Sequence, residues 1–150
     1  MENDEIDKIV VIDFGSSTTK AGFAGCDFPT SIIPTIIGKN MEESERFVGK
    51  EVFDSKNSNK IKKVIHPIER GLPIKGNHYE DLLHHLFYTQ LQVYPEELPV
   101  LYSEGSVNLR ANREKLIQIS FETFNTPAIY VAHQENLALF ATGKIHGKFH

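Results

Sequence analysis

The chain of 150 residues has no tryptophan, one cysteine and no surplus of basic residues. A single cysteine excludes an internal disulfide and favours a reducing compartment. Sixteen Lys and Arg residues against 20 Asp and Glu residues give a net charge of −4, so the chain has no basic footprint for nucleic acid. No apolar run approaches membrane-spanning length, and the acidic start Met1–Glu5 is unlike a secretory signal. These features predict one soluble intracellular domain with no direct nucleic-acid or membrane partner.

The most informative stretch of the sequence runs from Ile9 to Lys20. Four apolar residues lead into Asp13, which predicts a strand buried on both faces. Gly15 and the hydroxyl residues after it predict a turn whose N–H and O–H groups can hold a phosphate. Lys20 supplies a point charge for a phosphate, and Asp13 suits a hydrated Mg²⁺. The stretch lacks G-x-x-x-x-G-K and G-x-G-x-x-G, and taken alone it fits a plain hairpin turn slightly better.

Longer blocks of sequence resemble the N-terminal part of actin. In the same order and at about the same spacing as in actin, they lie at Lys20–Pro29, Pro67–Gly71, Pro95–Leu101, Asn112–Lys115 and Phe121–Ala132, followed by Gln134. The blocks cover most of the chain from Ile9 to Gly143 and are far more specific than the turn. The resemblance implies an α/β fold with the mixed, ribonuclease-H-like sheet of the actin-like ATPases, flanked by helices.

The resemblance also implies a site for ATP or ADP with Mg²⁺. The residues expected to face the phosphates are Gly15, Ser16, Ser17, Thr18 and Lys20. Asp13 is expected to hold Mg²⁺ through water. Gln134 matches the glutamine that lies under the γ-phosphate in actin, where a neutral amide helps to order the attacking water without acting as a base.

Hydrophobic periodicity and turn residues predict an alternation of strands and helices. The strands are expected at 9–12, 18–24, 31–37, 100–102 and 128–132, and the helices at 78–91, after Asn108 to about 124, and at 134–141. Pro34 places the third strand at a sheet edge or a bulge, because proline cannot donate to a ladder. Asn77 is the expected N-cap of the first helix, and Gly143 is expected to end the last one.

Within these elements, several side chains are expected to face the core. In the first helix they are Tyr79, Leu82, Leu83, Leu86, Phe87 and Leu91; in the second they are Leu116, Ile117, Phe121 and Phe124. His84 and His85 lie about 100° apart in helical projection, so a metal site is the weaker interpretation.

The domain organisation implied by the resemblance has two parts. Residues 1–37 and 64–150 are expected to form the first actin-type subdomain, and 38–63 a small, mobile, second-subdomain-like excursion. Four departures from actin stand out. Only eight residues separate Gly38 from Phe47, where actin has a long filament-contacting loop. Arg70 replaces actin's modified histidine, Ser17 replaces a phosphate-loop glycine, and no second Asp-x-Gly phosphate loop follows Gly143. A truncated clamp of this kind predicts weak nucleotide binding and no useful ATP turnover.

The function expected from the resemblance is that of an actin-like cytoskeletal protein, or an N-terminal fragment of one, that does not polymerise alone. Its expected partners are actin, actin-like and actin-binding proteins, met through uncovered surfaces near Leu82, Phe87 and Phe124. The expected location is the cytoplasm and cytoskeleton, with the nucleus as the second possibility. The alternative function is a structural, actin-like subunit of a nuclear chromatin-associated complex. An ATPase of the sugar-kinase or chaperone branch is disfavoured by the long actin-like blocks.

Overall fold

The structure is a computed structural model that describes residues 8–76 and 78–143. Its strands are β1 (Val10–Phe14), β2 (Thr18–Phe23), β3 (Ser31–Pro34), β4 (Ile37–Lys39), β5 (Arg46–Val48), β6 (Lys63–Ile65), β7 (Ile68–Glu69), β8 (Leu72–Pro73), β9 (Val100–Glu104) and β10 (Ile129–His133). Its helices are α1 (His78–His84), which continues as a π-helix over His85–Leu91, α2 (Arg110–Glu122) and α3 (Gln134–Ala141). Short 3₁₀ segments cover Gly49–Phe53 and Pro95–Glu97.

The central sheet has five strands in the order β10-β9-β1-β2-β3. β1, β2 and β3 form an antiparallel meander, whereas β9 is parallel to β1 and β10 is parallel to β9. β9, which follows the first helix, thus lies beside β1, and β10, which follows α2, lies beside β9. This mixed sheet confirms the expected α/β class.

The range predicted for the third strand, 31–37, extends too far at its carboxyl end. β3 is an edge strand, as Pro34 predicts, but it ends at that proline and does not reach Ile37. Beyond it, the N–H of Thr35 donates to the carbonyl of Ser17 at 2.9 Å, and the chain then turns into β4 of a second sheet. The apolar run Ile32–Ile37 is therefore shared between two sheets, which periodicity alone does not reveal.

The second sheet has three strands in the order β5-β4-β6 and occupies the segment that the sequence sets apart. Its β4–β5 connection is closed by the side chain of Asn40, whose carbonyl oxygen accepts the N–H groups of Ser44 at 2.9 Å and Glu45 at 3.1 Å. Glu43 pairs with Lys63 at 3.0 Å, a contact that lowers the pKa of the carboxyl below its ordinary range. The assignment of 38–63 as a second subdomain stays a prediction.

The first helix confirms its predicted inward face. All six of its predicted core residues are buried, namely Tyr79, Leu82, Leu83, Leu86, Phe87 and Leu91. The ring of Tyr79 packs at a tilt against that of Phe14 in β1, with 5.0 Å between the ring centroids. The change to π-helical geometry at His85 is not predicted by the sequence. The N-cap expected at Asn77 lies outside the described residues.

Leu82, Phe87 and Phe124 do not form an uncovered surface. Leu82 and Phe87 are 0% exposed and Phe124 is 4% exposed, and the rings of Phe87 and Phe124 meet edge to face at 5.3 Å. These three side chains themselves are therefore covered and offer no contact to a partner, while binding at a surface near them stays a prediction. They are buried because α1, its π-helical continuation and the end of α2 pack against one another and the sheet.

The second helix is shorter than predicted, and one of its inward assignments is wrong. Leu116 and Ile119 are buried, Ile117 is half-buried, and Phe121 is 44% exposed. Phe121 lies five residues after Leu116, and at about 100° per residue this rotates it about 140° away from the buried face. Gly143 follows α3 with a φ of +74° and donates to the carbonyl of Phe140 at 2.9 Å, which confirms its predicted helix-ending role.

Candidate phosphate and magnesium site

The carboxyl ends of three parallel strands meet at one edge of the central sheet. β1, β9 and β10 run in the same direction and end at Phe14, Glu104 and His133. Ligands in open α/β sheets bind outside such carboxyl ends. Asp13 and Gln134, 121 residues apart in sequence, meet here.

The carboxylate of Asp13 is the centre of this cluster. Its Oδ1 atom accepts a hydrogen bond from Nε2 of Gln134 at 2.9 Å and another from the hydroxyl of Ser103. Within the described part of the chain, no hydrogen bond reaches the second oxygen, Oδ2. That oxygen is therefore available to accept a hydrogen bond from the water shell of a cation.

Ser103 is a member of the site that sequence reasoning missed. It lies in β9 opposite Asp13 in the parallel register, and its hydroxyl is directed to the carboxylate. A signal was present, because Ser103 directly follows the strand predicted over 100–102 and the carboxyl ends of parallel strands lie side by side.

The turn between β1 and β2 depends on Gly15. Its N–H donates to the carbonyl of Thr18 at 3.1 Å. A Cβ atom at Gly15 would lie 2.5 Å from that same carbonyl oxygen, so no larger residue fits without a backbone shift. The tight turn leaves Ser16 and Ser17 exposed at its tip and Thr18 half-buried at the start of β2.

A second hairpin touches the tip of this turn. The N–H of Gly71 donates to the hydroxyl oxygen of Ser16 at 2.9 Å. Arg70 and Gly71 both have positive φ, +51° and +77°, which is the backbone form of a two-residue type I′ turn between β7 and β8. Arg70, which the resemblance places at the position of actin's modified histidine, therefore belongs to a loop in direct contact with the β1–β2 turn. The resemblance to actin singles out Arg70 but does not identify the Gly71 donor.

Lys20 lies across from Asp13 on β2. The two residues are paired in the antiparallel register of β1 and β2, so their side chains emerge on the same face of the sheet. Lys20 is exposed, whereas the intervening Thr19 is buried and bonds through its hydroxyl to Thr35 at 2.8 Å. The strand therefore directs the lysine to the face that carries Asp13 and the threonine to the core.

The donor set fits a phosphate with hydrated Mg²⁺. The turn built on Gly15 leaves its tip exposed, and the hydroxyl of Ser16 accepts from Gly71 while its own proton remains available. The carboxylate of Asp13 supplies an oxygen of the kind that binds Mg²⁺ through water. The structure thus brings together Asp13, the turn and Gln134, which the sequence picks out separately.

The histidine pair on the first helix does not form a metal site. His84 is exposed and stacks on Tyr88 at 4.8 Å, whereas His85 is buried and bonds through Nε2 to the side-chain amide of Gln90 at 3.0 Å. Across residues 8–76 and 78–143, no group of three or more His, Cys, Asp or Glu side chains has the geometry to hold a metal ion. In the same residues, no helix has the length and apolarity needed to cross a membrane.

The sheet order, the glycine turn and the small second sheet define the class of actin-like α/β folds. The comparisons with known proteins agree. The family model described as Actin matches residues 4–147. Actin-like protein 7A of Rattus norvegicus is 36% identical over 151 residues, which cover 95% of this chain and 34% of the relative. This chain belongs to the actin family, and it spans about a third of the length of that relative.

Proposed function

We propose that this chain is an actin-like cytoskeletal protein whose β1–β2 turn binds the phosphates of ATP or ADP together with Mg²⁺. The observation that carries the proposal is the convergence of Asp13, Ser103 and Gln134 beside the turn built on Gly15. A turn with donor groups suits a phosphate, and a neighbouring carboxylate with one oxygen free of protein donors suits a cation held through water.

Each residue of the proposed site has a separate task. The backbone of the turn and the hydroxyl of Ser16 donate to phosphate oxygens, and Lys20 adds a positive charge on the same face. Oδ2 of Asp13 accepts from the water shell of Mg²⁺, while Oδ1 stays occupied by protein donors. Bound Mg²⁺ neutralises phosphate charge, and the protein residues fix where that charge lies.

Gln134 is proposed to position a water molecule. Its Nε2 is engaged with Asp13, which leaves the amide oxygen as an acceptor for a water proton. An amide does not take up that proton, so Gln134 orients water without activating it as a base. We expect no useful turnover by the 150 residues, and any phosphate release that disappears in Gln134→Ala would contradict this expectation.

Calorimetric titration with Mg-ATP tests the proposed site. We expect weak binding by the 150-residue chain, with a Kd of about 1 μM or higher. Asp13→Asn should abolish the dependence on Mg²⁺, whereas Asp27→Asn, an exposed carboxylate in the loop after β2, should bind as the wild type does. Binding with a submicromolar Kd contradicts the expected weakness, and equal Mg²⁺ dependence in Asp13→Asn contradicts the site itself.

The cytoskeletal part of the proposal rests on family membership and concerns association with actin or actin-like proteins in the cytoplasm. The alternative is a structural role in a nuclear chromatin-associated complex. Imaging of the tagged protein together with co-purification separates the two. Cytoplasmic signal with actin-family partners supports the proposal, and nuclear signal with chromatin proteins supports the alternative.

A further inference from the structure

A polar cluster lies just behind the candidate site, on the helix-covered side of the sheet. Its central residue is Glu104, at the end of β9. Glu104 is 8% exposed. Oε2 of Glu104 accepts from Nε of Arg113 at 3.0 Å and from the side-chain amide of Asn108 at 3.1 Å, and Oε1 pairs with the second guanidinium nitrogen of Arg113. The cluster thus ties α2 to the end of β9 through a buried carboxylate. None of these side chains belongs to the proposed phosphate site.

The cluster also reaches the end of the neighbouring strand. Glu104 and His133 are partners in the parallel register of β9 and β10, and Nδ1 of His133 lies 3.8 Å from Oε1 of Glu104. His133 is the last residue of β10 and the residue that precedes α3. The next residue is Gln134, whose amide donates to Asp13. The junction between β10 and α3 therefore contacts Glu104 through His133 and Asp13 through the next residue, Gln134.

Few other contacts fix the first turn of α3, the helix that begins at this junction. No residue of α3 is fully buried, so its orientation is not fixed by core packing. Glu135, in the first turn, has a pKa below its ordinary value because its own backbone N–H and Ser106 donate hydrogen bonds to its carboxylate. Glu104 and Ser106 both lie at the end of β9, and together with Asp13 they make the polar contacts at the start of α3.

We infer that Glu104 and His133 are positioning residues for Gln134. Hydrogen bonds from Arg113 and Asn108 hold the Glu104 carboxylate, its 3.8 Å contact with Nδ1 of His133 steadies the end of β10, and that strand end keeps the Gln134 amide against Asp13. The inference rests on the proposed water-positioning role of Gln134. It adds that this role depends on a side-chain cluster on the opposite face of the sheet, which touches neither phosphate nor metal.

The test follows the side-chain amide of Gln134 by nuclear magnetic resonance in the ¹⁵N-labelled 150-residue chain without nucleotide. The signal is assigned by its loss in Gln134→Ala. In the wild type, the bond to Asp13 should slow exchange of this amide with water. In Glu104→Gln and His133→Ala, exchange should accelerate about 2- to 10-fold, the range expected for loss of one hydrogen bond. His133→Asn, whose side-chain amide keeps a polar nitrogen near the position of Nδ1, should restore slow exchange.

The control is Arg110→Ala. It removes an exposed ion pair with Glu114, 2.7 Å long, from the same helix that carries Arg113, and it should leave the Gln134 signal unchanged. If Glu104→Gln does not fold, His133→Ala decides, because His133 is half exposed. Wild-type exchange in both folded variants overturns the inference, as does an unprotected Gln134 amide in the wild type. Failure of Mg-ATP to bind would instead contradict only the proposed function, since this readout needs no nucleotide.

Discussion

At the scale of single residues, Gly15 is a position at which the surrounding backbone leaves no room for a side chain. We expect Gly15→Ala to destabilise the chain by about 1–3 kcal/mol, because the new Cβ collides with the Thr18 carbonyl and the turn must shift. Gly105→Ala is the matched control. Its Cβ would lie 3.9 Å from the nearest atom, the amide oxygen of Gln134, which is ordinary contact. Denaturant unfolding measures both, and equal stability of the two variants would contradict the account of the turn.

His85 predicts how stability depends on pH. Burial lowers its pKa below the ordinary value of 6.5, although Glu51 opposes the shift. The unfolded chain therefore binds a proton more readily than the folded one, so the stability that neutral His85 confers is present above pH 6.5 and is lost as pH falls. Thermal melts between neutral and mildly acidic pH should show a smaller loss in His85→Gln than in the wild type. The exposed His66 gives the control His66→Gln, and a wild-type pH slope in His85→Gln would refute the assignment.

At the scale of elements, one buried hydroxyl pair ties β2 to the connection between the two sheets. Thr19 and Thr35 are 0% and 2% exposed, and their hydroxyl oxygens are 2.8 Å apart. Thr19→Val leaves the Thr35 hydroxyl buried without its partner and should cost about 1–3 kcal/mol. The double variant Thr19→Val with Thr35→Val should be less destabilised than the sum of the single variants. Additive free energies of unfolding in this double-mutant cycle would show that the pair does not couple.

The sequence predicts elements best where local periodicity and packing agree. The first helix follows its apolar pattern, and all six predicted side chains are buried. The pattern fails for Phe121, because two apolar residues near a helix end can both match a loose periodicity while only one faces the core. It also fails beyond Pro34, where one apolar run serves two sheets.

In the candidate site too, the sequence predicts some residues and misses others. Asp13, Gly15 and Gln134 stand out from the sequence because they lie in a recognisable turn or a long family-like block. Ser103 and Gly71 do not, because a serine after a strand and a glycine in a hairpin are common. Only the register of β1 with β9 and the approach of the β7–β8 hairpin give these two residues their contacts.

At the scale of the whole molecule, the β4–β5 connection predicts the assembly behaviour. It is closed by Asn40, and its charged residue Glu43 is paired with Lys39 and Lys63. A short, internally bonded turn has no long segment to insert into a neighbouring subunit, and a heterologous contact propagates only when both of its surfaces are available. We therefore expect no filaments from the pure chain. Sedimentation and negative-stain microscopy in polymerising salt measure this, and regular helical filaments would contradict it.

The central claim, that the β1–β2 turn binds Mg-nucleotide, is tested most directly by mapping backbone amide shifts while Mg-ATP is added to the ¹⁵N-labelled chain. The method detects weak binding and locates it. We predict saturable shifts concentrated at residues 13–18, Gly71 and Gln134, which are reduced when Mg²⁺ is withheld and are equally reduced, with or without Mg²⁺, in Asp13→Asn. Shifts that cluster elsewhere, or none at millimolar nucleotide, would contradict the account.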